Sequence, residues 1–453
     1  MIKINDKLPK CQYKYESGYP EIKFACDEPS TTNSKFCVFH DKDHYAEHER
    51  EAAERFEEKV KESIFQNKPL ECIGYYLPFF NFTNLLKERS FPQPVYFSKA
   101  TFYEEAYFPE ATFSGDLLNA TFSGLARFEN TTFSKLVRFL NATFLGAAYF
   151  YKATFSEGAT FTGTSFLSKA YFLNTVFTDK TVFWYTVFEQ PNKVRFDYSN
   201  LSNVSFANSH ITRVRFGDEI RWGGGKNGFT IIEEEWLKDK AKGKKEEDSE
   251  NISLELVLSV YRNLRENYEF RLRYDDAGKF FIKEMELKRK YRETKSDNRP
   301  EIKENGWFRR HFSLTGLYYH LSRYGESISR PTLIATITVF ASTLFWLTQS
   351  NPSLEPHFTS FFGDNTGAVV AVANSSSNPT TSTFVGFEKA GNATQWQKAF
   401  ERSFADFLPL LPLGGDIKVG IIDYIIKIFG GALTFGLLII AFRRKFERKY
   451  TIA

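Results

Sequence analysis

The chain is short of cysteine, of excess charge and of any apolar leader, and each shortage closes off a class of protein. Only four cysteines occur in 453 residues, and three fall within the first forty. A net charge of +4 is too small to argue for nucleic acid as a partner. Met1 to Lys10 is polar and no apolar run follows, so no secretory signal peptide is expected. No Ser/His/Asp or Cys/His constellation is present, nor a Walker loop or a paired-carboxylate motif. The seven histidines lie mostly near the N-terminus or alone, and the chain is not expected to be an enzyme.

What the chain has in plenty is phenylalanine, 49 in all. Phe122, Phe128, Phe133, Phe139, Phe144, Phe150, Phe155, Phe161, Phe166, Phe172, Phe177, Phe183 and Phe188 are spaced alternately by six and five residues. Phe97, Phe102, Phe108 and Phe113 keep the same alternation upstream, before one slip near Leu118. Two residues before most of them stands a small or β-branched residue, such as Ala100, Ala120, Ala142, Ala153, Ala170 or Thr175. Neither a helix nor a plain strand has this period. It fits a square-sectioned β-helix with the small residue and the Phe both inward, about 22 residues per coil and a rise of about 4.8 Å.

The units read Ala-Thr-Phe at 100–102, 111–113, 120–122, 142–144, 153–155 and 159–161, and Ala-Tyr-Phe at 106–108, 148–150 and 170–172. They resemble the pentapeptide-repeat family over residues 92–217, which implies a right-handed quadrilateral β-solenoid. The departure is one extra residue in every second unit. Several members of that family mimic DNA through an acidic surface. Between Phe97 and Phe216 this chain has 11 Lys plus Arg against 9 Asp plus Glu, so a spacer or protein-docking rod is expected instead, with a cytoplasmic protein as partner.

Cys11, Cys26, Cys37 and His40 are spaced C-x14-C-x10-C-x2-H in a polar segment with turn formers at 17–20 and 29–33. Thiolates and an imidazole suit Zn²⁺, and a segment with so few apolar residues needs a metal to fold. A structural zinc knuckle is expected over 1–50, with His44 and His48 as substitute ligands. A helical cap over 51–91 precedes the solenoid, and a charged linker over 218–252 follows it. Residues 253–330 read as a helical hairpin, with Leu254, Val257, Leu258, Tyr261, Leu264 and Tyr268 as one apolar stripe, then a juxtamembrane slide helix. The string 277–286 resembles the linker of membrane-attached pentapeptide-repeat proteins.

Pro331 to Leu347 carries no charge, and Val419 to Phe442 is interrupted only by Asp423 and Lys427. Each is long enough to cross a hydrocarbon core of about 30 Å. Arg309, Arg310, Arg323 and Arg330 precede the first, and Arg443, Arg444, Lys445, Arg448 and Lys449 follow the second. The positive-inside rule then predicts a multi-pass cell-membrane protein with both termini cytoplasmic. Spans are expected at 331–349 and within 417–453, joined by an external loop over 350–394. Asn374 and Asn392 head glycosylation triplets there. Asn141-Ala142-Thr143, inside the repeats, falls in the wrong compartment.

Between the spans, 395–416 reads as a short helix followed by a Pro/Gly-rich extended segment. It contains Ser403, Asp406, Leu408, Pro409, Leu410, Leu411, Pro412, Leu413, Gly414, Gly415 and Asp416. The order of span, turret, short helix, extended segment and span resembles the two-span pore module of the potassium-channel superfamily. Gly415-Asp416 match the end of that family's filter, and Gly430-Gly431 match its inner-helix hinge. Leu411-Pro412 and Leu413 depart from the residues that select K⁺. The resemblance implies a homo-oligomer, a tetramer, in lipid, with Asp406 or Asp416 ringing the mouth of a cation-conducting pore. Gating would pull on the inner helices through the 253–292 hairpin. The alternative is a membrane-anchored solenoid scaffold that conducts nothing.

Overall fold

The computed structural model describes residues 8–18, 21–77, 79–81, 90–225, 228–244, 252–295, 300–348, 399–400, 403–404 and 431–450. They fall into two units, Met1–Asn305 and Gly306–Ala453.

The first unit is built on a β-solenoid of two-residue strands in four parallel sheets. One sheet stacks Thr101–Phe102, Thr121–Phe122, Thr143–Phe144, Ser165–Phe166 and Val187–Phe188 in register. The next stacks Ala106–Tyr107, Ala126–Arg127, Ala148–Tyr149, Ala170–Tyr171 and Val194–Arg195. Partners such as Phe122 and Phe144 are one coil of 22 residues apart, whereas Phe102 and Phe122 are 20 apart. The slip near Leu118 is therefore one shorter coil, and the stacking survives it.

The alternation of five and six is an alternation of two corners. In the five-residue units, the second residue after the inward ring, or after Leu117 at the slip, adopts a left-handed backbone: Asn119, Asn130, Asn141, Lys152, Asn174, Tyr185. A tight turn closes there, as in Ala142 N–H donating to Phe139 O at 3.0 Å. Asn tolerates that conformation better than other non-glycine residues. Asn141 heads its Asn-x-Thr triplet for this reason. The six-residue units place their extra residue at the other, wider corners.

Inside, the rings stack face to face from coil to coil. Phe122 lies 4.7 Å from Phe144, and Phe139 lies 4.7 Å from Phe161. Neighbouring stacks meet edge to face, as Phe139 meets Phe150 at 5.9 Å. Such pairs add ~0.5–1.5 kcal/mol each beyond the area they bury. Where Thr replaces the inward Ala, its hydroxyl bonds a phenylalanine carbonyl: Thr131 to Phe108, Thr164 to Phe139, Thr175 to Phe150. No buried hydroxyl in that set is left unpaired, so the substitution is tolerated.

Both open ends are covered. At the start, Leu70–Glu71 pairs with Val95–Tyr96, and helix α2 (Glu49–Gln66), which follows α1 (Lys42–Glu47), buries Ala52, Phe56 and Val60. At the far end, within the stretch read as a charged linker, α3 (Ile232–Ala241) lays Trp236 edge-on against Trp184. Its Glu233 carboxylate accepts from Ser205 Oγ at 2.7 Å and Phe206 N–H at 3.1 Å. The expected hairpin is present as α4 (Leu254–Phe270) and α5 (Tyr274–Lys290), and it is part of the cap. Asn267 Nδ2 donates to the Ile211 and Val214 carbonyls, and Trp222 Nε1 donates to the Tyr268 hydroxyl at 3.0 Å. These bonds satisfy edge groups that would otherwise invite another strand. A β-hairpin, Tyr291–Lys295 with Pro300–Glu304, completes the unit.

The second unit holds α6 (Trp307–Phe312), α7 (Leu314–Ser322), α8 (Ser329–Thr348) and α9 (Leu433–Tyr450). α8 and α9 pack together, and both touch α7. Arg323, Tyr324 and Gly325 are all left-handed and reverse the chain after α7. Among the described residues no helix is long and apolar enough to cross a membrane.

Phe150 stacks on Phe128 at 4.9 Å and on Phe172 at 4.8 Å. Phe150→Ala is expected to cost ~3–5 kcal/mol, against less than ~0.5 kcal/mol for the neighbouring exposed Tyr151→Ala. Urea denaturation of both variants checks this; equal losses would contradict a core carried by the stacked rings. Burial pushes the Glu233 carboxyl up to about 7, against partial relief from its hydrogen bonds to Ser205 and the 206–207 backbone. Because the folded value is raised, the stability it lends is full below about 4.5 and is lost as pH rises through about 7. Glu233→Gln should flatten that dependence, which is worth on the order of 3 kcal/mol. An unchanged slope of unfolding free energy between those pH values would refute the assignment.

Candidate metal centre

Three short pieces of chain bring four donors together. Cys11 and Cys26 flank the antiparallel hairpin Lys14–Gly18 with Glu21–Ala25, which folds their ends onto each other. Cys26 N–H donates to Tyr13 O at 3.1 Å and Cys11 N–H to Glu28 O at 2.8 Å. Cys37 and His40 sit on one tight turn, with His40 N–H bonded to Cys37 O at 2.9 Å. Asp41 ends that turn and caps α1, accepting from His44 N–H at 3.0 Å.

All four side chains are buried, and their ligand atoms lie within 4.8 Å of one another. His40 Nδ1 is 3.2 Å from Cys37 Sγ and 3.5 Å from Cys11 Sγ; Cys26 Sγ is 3.7 Å from Cys37 Sγ. Thiolates around a tetrahedral ion with bonds of ~2.3 Å stand ~3.8 Å apart, so the set already has the size of a zinc site. His40 Nε2 is 2.8 Å from Ile73 O. A carbonyl only accepts, so Nε2 carries the proton and the Nδ1 lone pair faces the sulfurs.

The electrostatics point the same way. The hydrogen bond from Cys37 holds the Cys11 thiol down at about 5 and the Cys26 thiol at about 6, against the opposing cost of burial. Cys37 is pushed up by those same two hydrogen bonds and by burial. Two thiolates and a third thiol crowded this closely need a cation before all three can ionise. Cys37 N–H also donates to Cys11 Sγ at 3.3 Å, a bond that suits a thiolate acceptor.

Sequence reasoning missed the surroundings. The Tyr13 ring stacks on His40 at 3.8 Å. Gly74 is left-handed, with φ +75°, and a Cβ there would lie 2.1 Å from the Tyr13 hydroxyl oxygen. Glu28, beside Cys26, takes Lys59 Nζ at 2.7 Å and Arg55 Nη2 at 3.3 Å from α2. The centre is thereby clamped to the N-terminal cap of the solenoid. None of these contacts has a motif, because each joins residues far apart in the chain. His44 and His48 stack on each other at 4.2 Å and stand outside the four-donor set.

Of the residues expected to line a pore, Ser403 is buried and donates from Oγ to Ala399 O at 2.8 Å. Gly431 precedes α9, where its carbonyl accepts from Thr434 Oγ1 at 3.3 Å. Asp406, residues 408–416, Gly430, Asn374 and Asn392 lie outside the described residues.

Protein purified without chelator is expected to carry one zinc per chain by elemental analysis, and Cys37→Ser to lose it. Gly74→Ala should lower zinc affinity by ~10–100-fold with all four ligands intact, because it displaces Tyr13 from His40. Wild-type protein free of zinc yet folded over 8–68 would refute a metal centre.

Residues 115–153 and 139–187 match the family model described as pentapeptide repeats (9 copies). No curated protein and no solved structure matches the chain. With the four stacked sheets, that match identifies the middle of the chain as a β-solenoid of pentapeptide repeats, about six turns long.

Proposed function

We propose that the chain is one subunit of an oligomeric membrane channel, a tetramer by analogy with two-span pores. It conducts cations and carries its solenoid and a structural zinc knuckle in the cytoplasm. The observation that carries this is an uncovered apolar stripe. Leu333, Ile337, Phe340 and Leu344 recur every three or four residues along α8 and all are exposed. So are Leu433, Phe435, Ile439, Ile440 and Phe442 on α9. In water such faces would drive association or aggregation; lipid or sister subunits would cover them. Two helices per chain cannot enclose a pore, so several chains must surround one axis.

α6 adds a second support. Trp307, Phe308 and Phe312 are exposed around Arg309 and Arg310. Aromatic rings beside arginines suit the boundary between headgroups and acyl chains, just ahead of the first apolar run. The run 331–347 would form the outer span and 419–442 the inner one. Residues 396–416 would line the entry, with Asp406 or Asp416 favouring cations.

The test is single-channel recording of the purified protein in a planar bilayer under K⁺, Na⁺ and Cl⁻ gradients, with a deletion of 396–416 as control. Discrete cation currents that vanish in the control are expected, together with a multi-chain mass in detergent. A silent, monomeric protein would overturn the channel and leave a tethered scaffold.

A further inference from the structure

Three arginines of the solenoid gather at one corner of its C-terminal end. On the sheet that carries Tyr107, Arg127, Tyr149 and Tyr171 outward, the last two outward positions are Arg195 and Arg215, paired on adjacent coils. Arg213 stands two residues before Arg215, and its guanidinium carbon sits over the Phe270 ring, 3.9 Å from the centroid. Phe270 ends α4, and the next residue, Arg271, reaches back to bond the Arg213 carbonyl through Nη2 at 2.9 Å. Four guanidinium groups thus meet where the last coils touch the hairpin of α4 and α5.

A buried carboxylate pairs with two of them. Asp197 is almost wholly buried, ion-paired to Arg195, and 3.9 Å from Arg215 Nε. It is fixed from above by Gly217, where a Cβ would come within 1.6 Å of Asp197 Oδ1. Asp197 orients two arginines and also acts on Arg271, but its single negative charge faces four positive ones, and its own Oδ1 is buried without a hydrogen-bond partner. Arg273, nearby in sequence, is satisfied separately by Asp276 at 2.8 Å and by the Phe216 and Gly217 carbonyls. Arg271 Nε is buried with no acceptor. Burial, then the neighbouring Arg215 and Arg213, hold the Arg271 guanidinium below its ordinary value. A buried unpaired N–H beside uncompensated like charges is a standing cost unless something anionic meets it.

We infer that Arg195, Arg213, Arg215 and Arg271 form a binding site for a doubly charged phosphate-type oxyanion. Planar guanidinium forks match phosphate oxygens two at a time, and Phe270 and Asp197 hold three of the four forks in place beforehand. A bound dianion would offset most of the three positive charges that Asp197 leaves over and accept from Arg271 Nε. It would also tie α4 to the last coils, so binding would tighten the C-terminal cap. The same chemistry is offered by a free phosphate or by a phosphorylated lipid headgroup.

The test uses the full-length protein in detergent, with thermal unfolding followed against inorganic phosphate at constant ionic strength and chloride as control. A second arm uses vesicles of phosphatidylcholine with and without a phosphatidylinositol phosphate, read by co-flotation of the reconstituted solenoid-bearing chain with free vesicles. Phosphate is expected to raise the unfolding temperature where chloride does not. Arg215→Gln and Arg271→Gln are each expected to weaken binding by about tenfold, while Arg215→Lys retains part of it. Arg215 is exposed, so its variant keeps the fold even if Arg271→Gln loosens the cap. Capture only by phosphoinositide vesicles, lost in Arg215→Gln, would assign the headgroup as ligand. No response to either probe, or a response unchanged in Arg215→Gln, would overturn the site.

Discussion

The in-register stacking of phenylalanine on phenylalanine is the constraint on which the first unit depends. A two-residue strand has almost no cooperative backbone structure of its own. It persists because its Phe lies between two others, one coil above and one below, at contact distances near those of a crystal of aromatic rings. Everything outside the core is adjusted to keep that register. The αL asparagines turn the tight corners, the extra residues fill the wide ones, and the buried threonine hydroxyls bond back to the ring-bearing backbone. Even the insertion around Pro191–Lys193 is looped out, so that Val194–Arg195 still pairs with Ala170–Tyr171.

The two ends depend on different chemistry, because a solenoid cannot terminate itself. The C-terminal cap uses hydrogen bonds: Glu233, Asn267 and Tyr268 each meet a group of the last coils. The N-terminal cap uses side-chain packing, including Phe39 stacked on Tyr75 at 4.4 Å, and connects to the cysteine cluster through Ile73 and Glu28. The two caps respond to different conditions as a result: the C-terminal one to ionisation of the buried Glu233 carboxyl as pH rises, the N-terminal one to whatever occupies the four-donor set.

Legibility in the sequence followed periodicity. The solenoid was plain because one ring recurs at a fixed step. The four donors were readable because Cys37 and His40 stand three apart, the spacing of a chelating turn. The roles of Tyr13, Gly74 and Arg271 were not readable, since each acts across tens of residues with no repeat to betray it. Ala277 and Phe280 suggested a connector; their burial against the last coils makes the hairpin a cap instead. The charge balance between Phe97 and Phe216 looked neutral because a sum hides position. Four of the eleven basic residues in that span fall at or after Lys193.

The uniform 22-residue step between Phe122 and Phe188 has a consequence for how such a chain changes length. Any cut that removes one whole coil rejoins Phe to Phe, Ala to Ala and corner to corner. A cut of half a coil, 11 residues, also keeps ring on ring but turns one end half-way round the axis, and a cut that is no multiple of 11 within this run breaks the register. The rod is therefore quantised: it can be lengthened or shortened in increments of one strand spacing, ~4.8 Å, with both caps unaltered. Duplication and deletion can tune the separation of its two ends without redesigning either one.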